Sequence, residues 1–304
     1  MSTDYKIDHI VKKAYQEAHR LWLHLCEQQR RKVVSKLLLR SDEAPHYYDS
    51  DEVFERLQRS YRPLPEYGYD TYNTWKRGTE RTLNLLEITK LHAPGLTMLD
   101  AACGDGMTGY ALSCYGHRVT LTDIEDWRDI RAKELPFMPA NLSIELPLDS
   151  NSFDLIYSYN AFEHLDDPSV ALRELVRVCK KGGYIYIEFG PIYSSPWGLH
   201  SYRTIRMPYP QFLFSKSFLE VKLEKLGVYD LGRKCFSLQP LNQWRVSDFD
   251  SLWQHSQCEI VSHSAFVDNT HLDIIKKFHL AFTGMGLTIE DVTTQALVVM
   301  LRKK

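Results

Sequence analysis

Residues 98–109 read Met-Leu-Asp-Ala-Ala-Cys-Gly-Asp-Gly-Met-Thr-Gly, and this stretch decides the fold. Its apolar beginning suits a buried parallel strand, which reads as a short apolar run. Glycines at 104, 106 and 109 permit positive φ angles and leave room for a ligand beside the main chain. The stretch therefore predicts a strand, a glycine turn, and a helix that begins near residue 107 with its free N–H groups facing the turn.

A second acidic strand end follows the glycine turn. Residues 118–122 read Arg-Val-Thr-Leu-Thr and predict the next strand, which ends at Asp123. In dinucleotide-binding folds, a carboxylate roughly twenty residues past the glycines accepts hydrogen bonds from the ribose hydroxyls. Asp123 therefore predicts a cofactor that contains a nucleoside.

Asp100 distinguishes between the cofactors that such a turn can hold. Residues 104–109 match the pattern G-x-G-x-x-G, which nicotinamide enzymes and methyltransferases both show. A carboxylate before the glycines would repel the pyrophosphate of a dinucleotide, whereas it suits a cationic amine. S-adenosylmethionine has that amine and a ribose and has no phosphate, so these residues favour it.

Four segments resemble, in order and spacing, the class I S-adenosylmethionine-dependent methyltransferases of the small-molecule type. They are residues 99–106, residues 121–123, residues 146–165 with Phe-Glu-His-Leu at their end, and residues 172–187 with a Gly-Gly turn. The resemblance covers residues 80–190 and the C-terminal strand. It implies an α/β fold with a doubly wound, mostly parallel, seven-stranded Rossmann-like sheet, whose last strand runs antiparallel beside the fifth.

The resemblance also implies where the cofactor binds. The residues expected against it are Asp100, Ala102, Gly104, Gly106, Asp123, Ile124, Leu142, Ser143 and Tyr159. Ala102 stands where the family usually has its first glycine, which tightens the approach to the cofactor. Residues 141–144 carry no carboxylate for the adenine amino group, so adenine recognition is expected to rest on backbone groups and Leu142.

Two residues in the segment that precedes the first strand are candidates for binding the methionine end of the cofactor. In methyltransferases of this kind the segment before the first strand closes over that end, which here brings in Trp75 and Arg77. Arg77 is expected to meet the cofactor carboxylate. The alternative is an arginine that is simply exposed.

The chain is expected to have four parts. Residues 1–75 form an N-terminal helical extension or cap, and residues 76–189 form the cofactor-binding core. Residues 190–250, rich in proline and aromatic residues, form a lid inserted after the fifth strand, and residues 251–304 complete the core. The apolar spacing of residues 5–40 predicts a helix that packs on its own core, forms a dimer face, or caps the pocket. Residues 41–70 predict a loop, and residues 126–134 predict a helix.

Three residues are candidates for a catalytic role at the methyl acceptor. Glu163 and His164 follow the fourth strand, and His200 lies in the expected lid. Histidine titrates near neutral pH and can accept a proton from an acceptor, although His164 has a structural alternative. Tyr193, Trp197, His200 and Tyr202 are the expected substrate-binding residues, or else aromatic packing within the lid. No close spacing of His, Asp and Glu stands out, so no metal is expected.

Composition limits the partners. Lys and Arg number 37 and Asp and Glu 39, so the net charge of −2 gives no signal for nucleic acid or an acidic membrane. The six cysteines lack paired spacing, which favours a reducing compartment. No apolar run is long enough to span a bilayer. We therefore expect a cytoplasmic protein with a small-molecule substrate, and a homodimer is a further expectation.

Three functions remain open on the sequence. The first is methyl transfer from S-adenosylmethionine to an oxygen, nitrogen or carbon atom of a metabolite, natural-product or sugar-type intermediate. The second is an inactive S-adenosylmethionine-binding protein with a regulatory or interaction role. The third, a nicotinamide-dependent oxidoreductase, is disfavoured by Asp100.

Overall fold

A computed structural model describes residues 3–40, 44–62, 64, 68–230, 233–235 and 237–304. The strands are β1 Thr97–Ala101, β2 Arg118–Asp123, β3 Phe137–Pro139, β4 Phe153–Tyr159, β5 Cys179–Phe189, β6 Val228–Asp230, β7 Arg233–Cys235, β8 Cys258–Val267 and β9 Thr294–Lys303. The helices are α1 Thr3–Leu38, α2 Asp51–Ser60, α3 Thr71–Thr89, α4 Met107–Cys114, α5 Pro168–Val178, α6 Pro210–Leu213, α7 Lys216–Leu226, α8 Val246–Gln254, α9 Leu272–Lys277 and α10 Ile289–Thr293.

A seven-stranded sheet in the order β3-β2-β1-β4-β5-β9-β8 organises the chain. Neighbours among β1 to β5 pair in parallel, and β9 runs antiparallel to both β5 and β8. Strand order reverses between β1 and β4, and ligands bind outside the carboxyl ends of the strands at such a point. The predicted doubly wound, mostly parallel sheet is confirmed. Strands β6 and β7 form a separate antiparallel pair.

The glycine stretch folds as its sequence predicts because its small residues allow close packing. Met98 and Leu99 on β1 are fully buried. A Cβ atom on Gly109 would lie 2.4 Å from the Leu121 side chain, so α4 rests directly on β2. This close contact directs the N-terminus of α4 at the carboxyl end of β1, where the glycine turn lies.

A second apolar core lies beside the sheet. It joins the end of α1 and α2 to residues 205–219 and to the segment from α9 to α10, and its members include Val34, Phe54, Tyr209, Phe212 and Phe282. Much of the aromatic content of residues 190–250 is therefore buried in this core. The outer part of α1 differs, since Leu21, Trp22 and Leu25 are each more than half exposed.

Two local predictions are wrong. The expected loop at 41–70, part of which lies outside the described residues, contains α2, because Ser50 caps that helix and Phe54 and Leu57 are buried on one of its faces. The expected helix at 126–134 is reduced to a single 3₁₀ turn, Ile130–Ala132, which Asp129 caps through the Arg131 amide. In the described part of the chain, every helix is too short or too polar to cross a membrane.

Candidate functional site

A cleft of about 650 Å³ opens at the carboxyl ends of β1, β2, β4 and β5. The predicted site residues that line it are Asp100, Ala102, Gly104, Asp123, Ile124, Leu142, Ser143, Tyr159, Glu163, His164, His200 and Tyr202. Five other predicted residues are not part of its lining, namely Trp75, Arg77, Gly106, Tyr193 and Trp197. The predicted cofactor and catalytic groups thus largely meet in one place, whereas the predicted aromatic walls do not.

Both carboxylate oxygens of Asp123 are held by the backbone. The Gly104 N–H donates to Oδ2 and the Ile124 N–H donates to Oδ1, each at 2.8 Å. Burial raises the pKa of Asp123, and these hydrogen bonds oppose that rise. Each oxygen keeps a further lone pair, so the two carboxylate oxygens can accept hydrogen bonds from two hydroxyl groups on neighbouring ribose carbons.

The backbone of the glycine turn leaves space for a ligand. Gly104 has φ +55°, and a Cβ atom there would meet nothing within 4 Å. Ala102 has φ +63°, a conformation in which glycine is preferred, and this explains why the family usually has glycine there. Gly106, at φ +68°, is the residue that precedes α4. A Cβ atom there would lie 3.0 Å from the side chains of Leu121 and Ala132, so Gly106 is required by the packing of the turn and does not face the cleft.

Asp100 is buried at the floor of the cleft. Burial raises the pKa of its carboxyl group to about 8, and the positive charge of Arg81 opposes part of that rise. The Arg81 guanidinium lines the cleft and lies 4.2 Å from the centre of the Tyr159 ring. Sequence reasoning missed Arg81, although it follows Arg77 by one helical turn and thus shares its face of α3.

Arg77 and Trp75 have other contacts. The Arg77 guanidinium forms an ion pair with Asp105 and donates to the Gly68 carbonyl at 2.9 Å. Asp105 also accepts a hydrogen bond from the Met107 N–H, so the ion pair fixes α3 to the start of α4. Trp75 packs edge-on against Tyr110 and remains 43% exposed. In this structure Arg77 holds Asp105 of the glycine turn and is not itself part of the cleft lining.

Tyr193 and Trp197, which were expected to form aromatic walls of the pocket, pack against other aromatic side chains instead. Tyr193 meets the Phe212 ring with centroids 6.2 Å apart, and Trp197 meets the His271 ring at 5.2 Å. Both belong to the side of the segment that faces the second core, where burial of aromatic area is favourable. Tyr202 of the same segment does line the cleft.

Glu163, His164 and His200 form one cluster in the lining of the cleft. One ligand-capable atom from each lies within 4.8 Å of the others. The His164 and His200 rings meet edge to face with centroids 4.8 Å apart, and His164 Nε2 lies 4.0 Å from Glu163 Oε1. No metal was expected from the sequence, yet the fold brings together a carboxylate and two imidazoles that could hold one.

Backbone carbonyls fix the orientation of both imidazoles. His164 Nδ1 donates to the Pro240 carbonyl and His200 Nε2 donates to the Pro191 carbonyl, each at 2.8 Å. Since a carbonyl can only accept, each ring carries its proton on that nitrogen when it is neutral. Burial, together with the charge of His164, lowers the pKa of His200 to about 3, so His200 is neutral at physiological pH.

Glu163 is buried and only partly satisfied. Its Oε1 accepts a hydrogen bond from the Gly190 N–H at 3.2 Å, and its Oε2 has no hydrogen-bond partner among the described residues. Burial raises the pKa of this carboxyl group to about 8. A buried carboxylate oxygen without a partner is unusual in a folded protein.

Asn242 holds the segment that supports His164. Its Nδ2 donates to the Phe162 carbonyl at 2.6 Å and to the Leu165 carbonyl at 3.0 Å, and its N–H donates to the Glu163 carbonyl at 3.0 Å. These bonds fasten Asn242, two residues after the cleft-lining residues 237–240, onto the turn after β4. No local sequence pattern indicates this contact, because it joins segments far apart in the chain.

The residues present fit a nucleoside cofactor with a charged amino-acid tail. The two oxygens of Asp123 suit a ribose, the open side of Gly104 admits a ligand close to the backbone, and the cleft offers the Asp100 carboxyl group and the Arg81 guanidinium. S-adenosylmethionine carries a ribose, an ammonium and a carboxylate, and each has a matching group here.

Part of the chain is similar in sequence to proteins that use S-adenosylmethionine. A family model described as "Methyltransferase domain" matches residues 99–187. A 2-methyl-6-phytyl-1,4-hydroquinone methyltransferase of Synechocystis is 36% identical over 101 residues, which cover 31% of this chain and 32% of that protein. The S-adenosyl-L-methionine-dependent Diels-Alderase iliD of Neonectria is 31% identical over 149 residues, covering 46% of this chain and 59% of that protein.

A solved structure of an S-adenosylmethionine-dependent methyltransferase from Mesorhizobium loti is also similar. It is 18% identical, with a TM-score of 0.44, and the match covers 72% of this chain and 96% of that chain. The chain spans less than two thirds of the curated relatives above. Residues 99–187, which include the glycine turn, β2 and β4, therefore match the methyltransferase-domain family, and this similarity covers less than half of the chain.

Proposed function

We propose that this protein transfers the methyl group of S-adenosylmethionine to an oxygen, nitrogen or carbon atom of a small or medium-sized molecule. The observation that carries the proposal is the single cleft in which Asp100, Gly104 and Asp123 face Glu163, His164 and His200. The same cleft thus carries groups for the cofactor together with one carboxyl group and two imidazoles that can face an acceptor.

The cofactor end supplies binding and orientation. Asp123 accepts the ribose hydroxyls, and Asp100 and Arg81 face the charged methionine tail. Leu142 and Ser143 form the side of the cleft assigned to adenine. S-adenosylmethionine supplies an electrophilic methyl group on a sulfonium, so the protein needs chiefly to hold two partners in line.

The other end of the cleft receives the acceptor. Glu163, His164 and His200 present lone pairs there, and Tyr202 forms part of the wall. We assign these residues to orientation of the acceptor and to promoting the loss of its proton. Tyr193 and Trp197 have no part in this assignment because they pack against Phe212 and His271.

The experiment is a two-step measurement on the purified full chain. Isothermal titration with S-adenosylhomocysteine comes first, and we expect binding that Asp123→Ala weakens. Incubation with S-adenosylmethionine labelled in its methyl group and a panel of hydroxylated, amino and quinol-type small molecules follows. Absence of binding at millimolar cofactor would overturn the proposal, and binding without transfer to any acceptor would favour a protein that binds the cofactor without consuming it.

A second candidate rests on the similarity to iliD, whose name describes a Diels-Alderase that depends on the same cofactor. In that case the cofactor would remain intact while a substrate cyclises in the cleft. The two candidates differ in the fate of the cofactor, because only methyl transfer yields S-adenosylhomocysteine. Chromatographic measurement of that product in each acceptor reaction distinguishes them.

We further propose that the protein acts in a reducing compartment such as the cytoplasm and forms a homodimer without nucleic-acid or membrane partners. The six cysteines are free, which supports the first point. The exposed Leu21, Trp22 and Leu25 on α1 support the second, because a partner helix could cover them. Sedimentation velocity of the wild type and of Trp22→Ser would test the dimer.

A further inference from the structure

We propose that Glu163, His164 and His200 form a binding site for a divalent transition-metal ion at the acceptor end of the cleft. Two imidazoles and one carboxylate are a ligand set that zinc and ferrous iron both accept. The use of the ion in methyl transfer rests on the proposed function, whereas the site itself stands on the geometry of these three side chains.

The spacing of the ligand atoms is close to that of a filled site. One atom from each residue lies within 4.8 Å of the others, and His164 Nε2 lies 4.0 Å from Glu163 Oε1. Metal–ligand bonds of about 2.0–2.2 Å place neighbouring ligands about 3.0–3.5 Å apart. Contraction of the cluster by about 1 Å, through side-chain rotation, would therefore bring all three ligands onto one ion.

The hydrogen bonds to the two imidazoles are those of metal-bound histidines. A histidine that binds a metal through one nitrogen almost always donates its other N–H to a carbonyl, a carboxylate or a water, which fixes the tautomer and the ring direction. His164 donates to Pro240 and His200 donates to Pro191 in this way. In these tautomers the unprotonated nitrogens are Nε2 of His164 and Nδ1 of His200.

Glu163 provides an independent observation. Its Oε2 is buried and has no hydrogen-bond partner in the described part of the chain, although Oε1 is held by the Gly190 N–H. An uncompensated carboxylate away from water is costly, and a cation beside it removes that cost. The carboxylate therefore has one oxygen fixed by the backbone and the other available to a ligand.

The site would serve an acceptor that reacts through oxygen. All three residues line the cleft, so positions on the ion remain open towards it. A divalent ion lowers the pKa of a hydroxyl group that binds to it. The acceptor O–H then releases its proton to water, the oxygen forms a bond to the methyl carbon, and the carbon–sulfur bond breaks to give S-adenosylhomocysteine.

The test measures metal binding directly, on untagged full chain freed of metal with a chelator. Zn²⁺ is titrated by calorimetry, and Co²⁺ is titrated by visible absorption, which reports the ligand type. We expect one equivalent of tight binding without the sulfur-to-cobalt charge-transfer band that a cysteine ligand would produce. Glu163→Gln and His200→Gln should each weaken Zn²⁺ binding at least 100-fold.

His263→Asn is the matched control. His263 Nε2 lies 3.5 Å from Asp250 Oδ1, so it is also a histidine beside a carboxylate, but it lies on β8, outside the cleft. We expect this variant to bind Zn²⁺ as the wild type does. Glu163→Gln keeps an oxygen for the Gly190 N–H, and thermal unfolding without metal verifies that each variant is folded.

The outcomes separate this inference from the proposed function. If the wild type binds S-adenosylhomocysteine but binds no Zn²⁺ or Co²⁺, or if His200→Gln binds Zn²⁺ as tightly as the wild type, the metal site is refuted and the proposed function stands. A rise in the wild-type unfolding temperature with Zn²⁺ that both cluster variants lose and His263→Asn retains supports the site, whether or not the cofactor binds.

Discussion

The guanidinium of Arg81 lies 4.2 Å from the centre of the Tyr159 ring, on the wall of the cleft. A cation over an aromatic face is held by electrostatic attraction to the ring. This contact keeps a positive charge on the cleft side of α3, where it acts on the buried carboxyl groups of Asp100 and Glu163. Arg77, one helical turn earlier, is paired with Asp105 instead.

Replacement of Arg81 should therefore weaken cofactor binding more than replacement of Arg77. A hydrogen bond to a charged group contributes about 1.5–3 kcal/mol, so Arg81→Met should weaken S-adenosylhomocysteine binding by roughly 10- to 100-fold. Arg77→Met should chiefly lower the unfolding temperature, because it leaves Asp105 without its partner at the start of α4. Calorimetric titration and thermal unfolding of both variants measure the two effects. Equal loss of affinity in the two variants would contradict this assignment.

Asp123→Asn should remove most cofactor affinity while the sheet remains intact. The amide has one acceptor oxygen, so its NH₂ group must face either the Gly104 N–H or the Ile124 N–H, both of which are donors. Loss of one charged acceptor and the clash of two donors predict a loss of about 3 kcal/mol, or roughly 100-fold in the dissociation constant. Titration with S-adenosylhomocysteine measures it, and the exposed Asp149→Asn is the control. Retained affinity in Asp123→Asn would exclude the ribose assignment.

Alanine substitutions at Gly104 and Gly109 should affect different properties, cofactor affinity at Gly104 and the free energy of unfolding alone at Gly109. A Cβ atom on Gly109 would lie 2.4 Å from Leu121, so Gly109→Ala should cost about 1–3 kcal/mol of overpacking and leave cofactor affinity unchanged. Gly104→Ala meets no atom within 4 Å, but at φ +55° it costs about 1–2 kcal/mol of backbone strain and places a methyl group at the cleft. Urea unfolding and titration of both variants are the measurements. A loss of affinity in Gly109→Ala as large as that in Gly104→Ala would contradict the distinction.

The elements that the sequence predicted well are those whose signals are local. The strand at Met98 and Leu99, the turn at Gly104 and the acidic end at Asp123 each depend on residues close together in the chain. Burial of an apolar run and the need for positive φ are properties that a short segment carries by itself.

The features that the sequence did not predict depend on contacts between distant segments of the chain. Periodicity places Arg77 and Arg81 on one face of α3, and it cannot tell that Asp105 engages the first of them. Aromatic composition does not distinguish a cleft wall from a packed core, so it could not indicate that Trp197 packs against His271. His200, whose ring meets that of His164, adopts φ +58°, a local geometry that the sequence does not indicate.

Asp100 should make the stability of the protein without cofactor depend on pH. Burial raises the pKa of its carboxyl group from 3.8 to about 8. Between these values the folded state holds a proton that the unfolded state releases, so the free energy of unfolding falls as pH rises. The contribution is fully present below about pH 4 and is lost by about pH 8, with a slope of at most about 1.4 kcal/mol per pH unit.

Asp100→Asn tests this prediction because an amide resembles the neutral carboxyl group and does not titrate. The stability of Asp100→Asn relative to the wild type should increase steadily from pH 5 to pH 8 and then become constant. Urea unfolding at several pH values, without cofactor and with a chelator present, gives both curves, and Asp149→Asn should follow the wild type. Parallel curves for wild type and Asp100→Asn would show that Asp100 is already ionised in the folded protein, since a neutral buried carboxyl group must lose its advantage as the unfolded chain ionises.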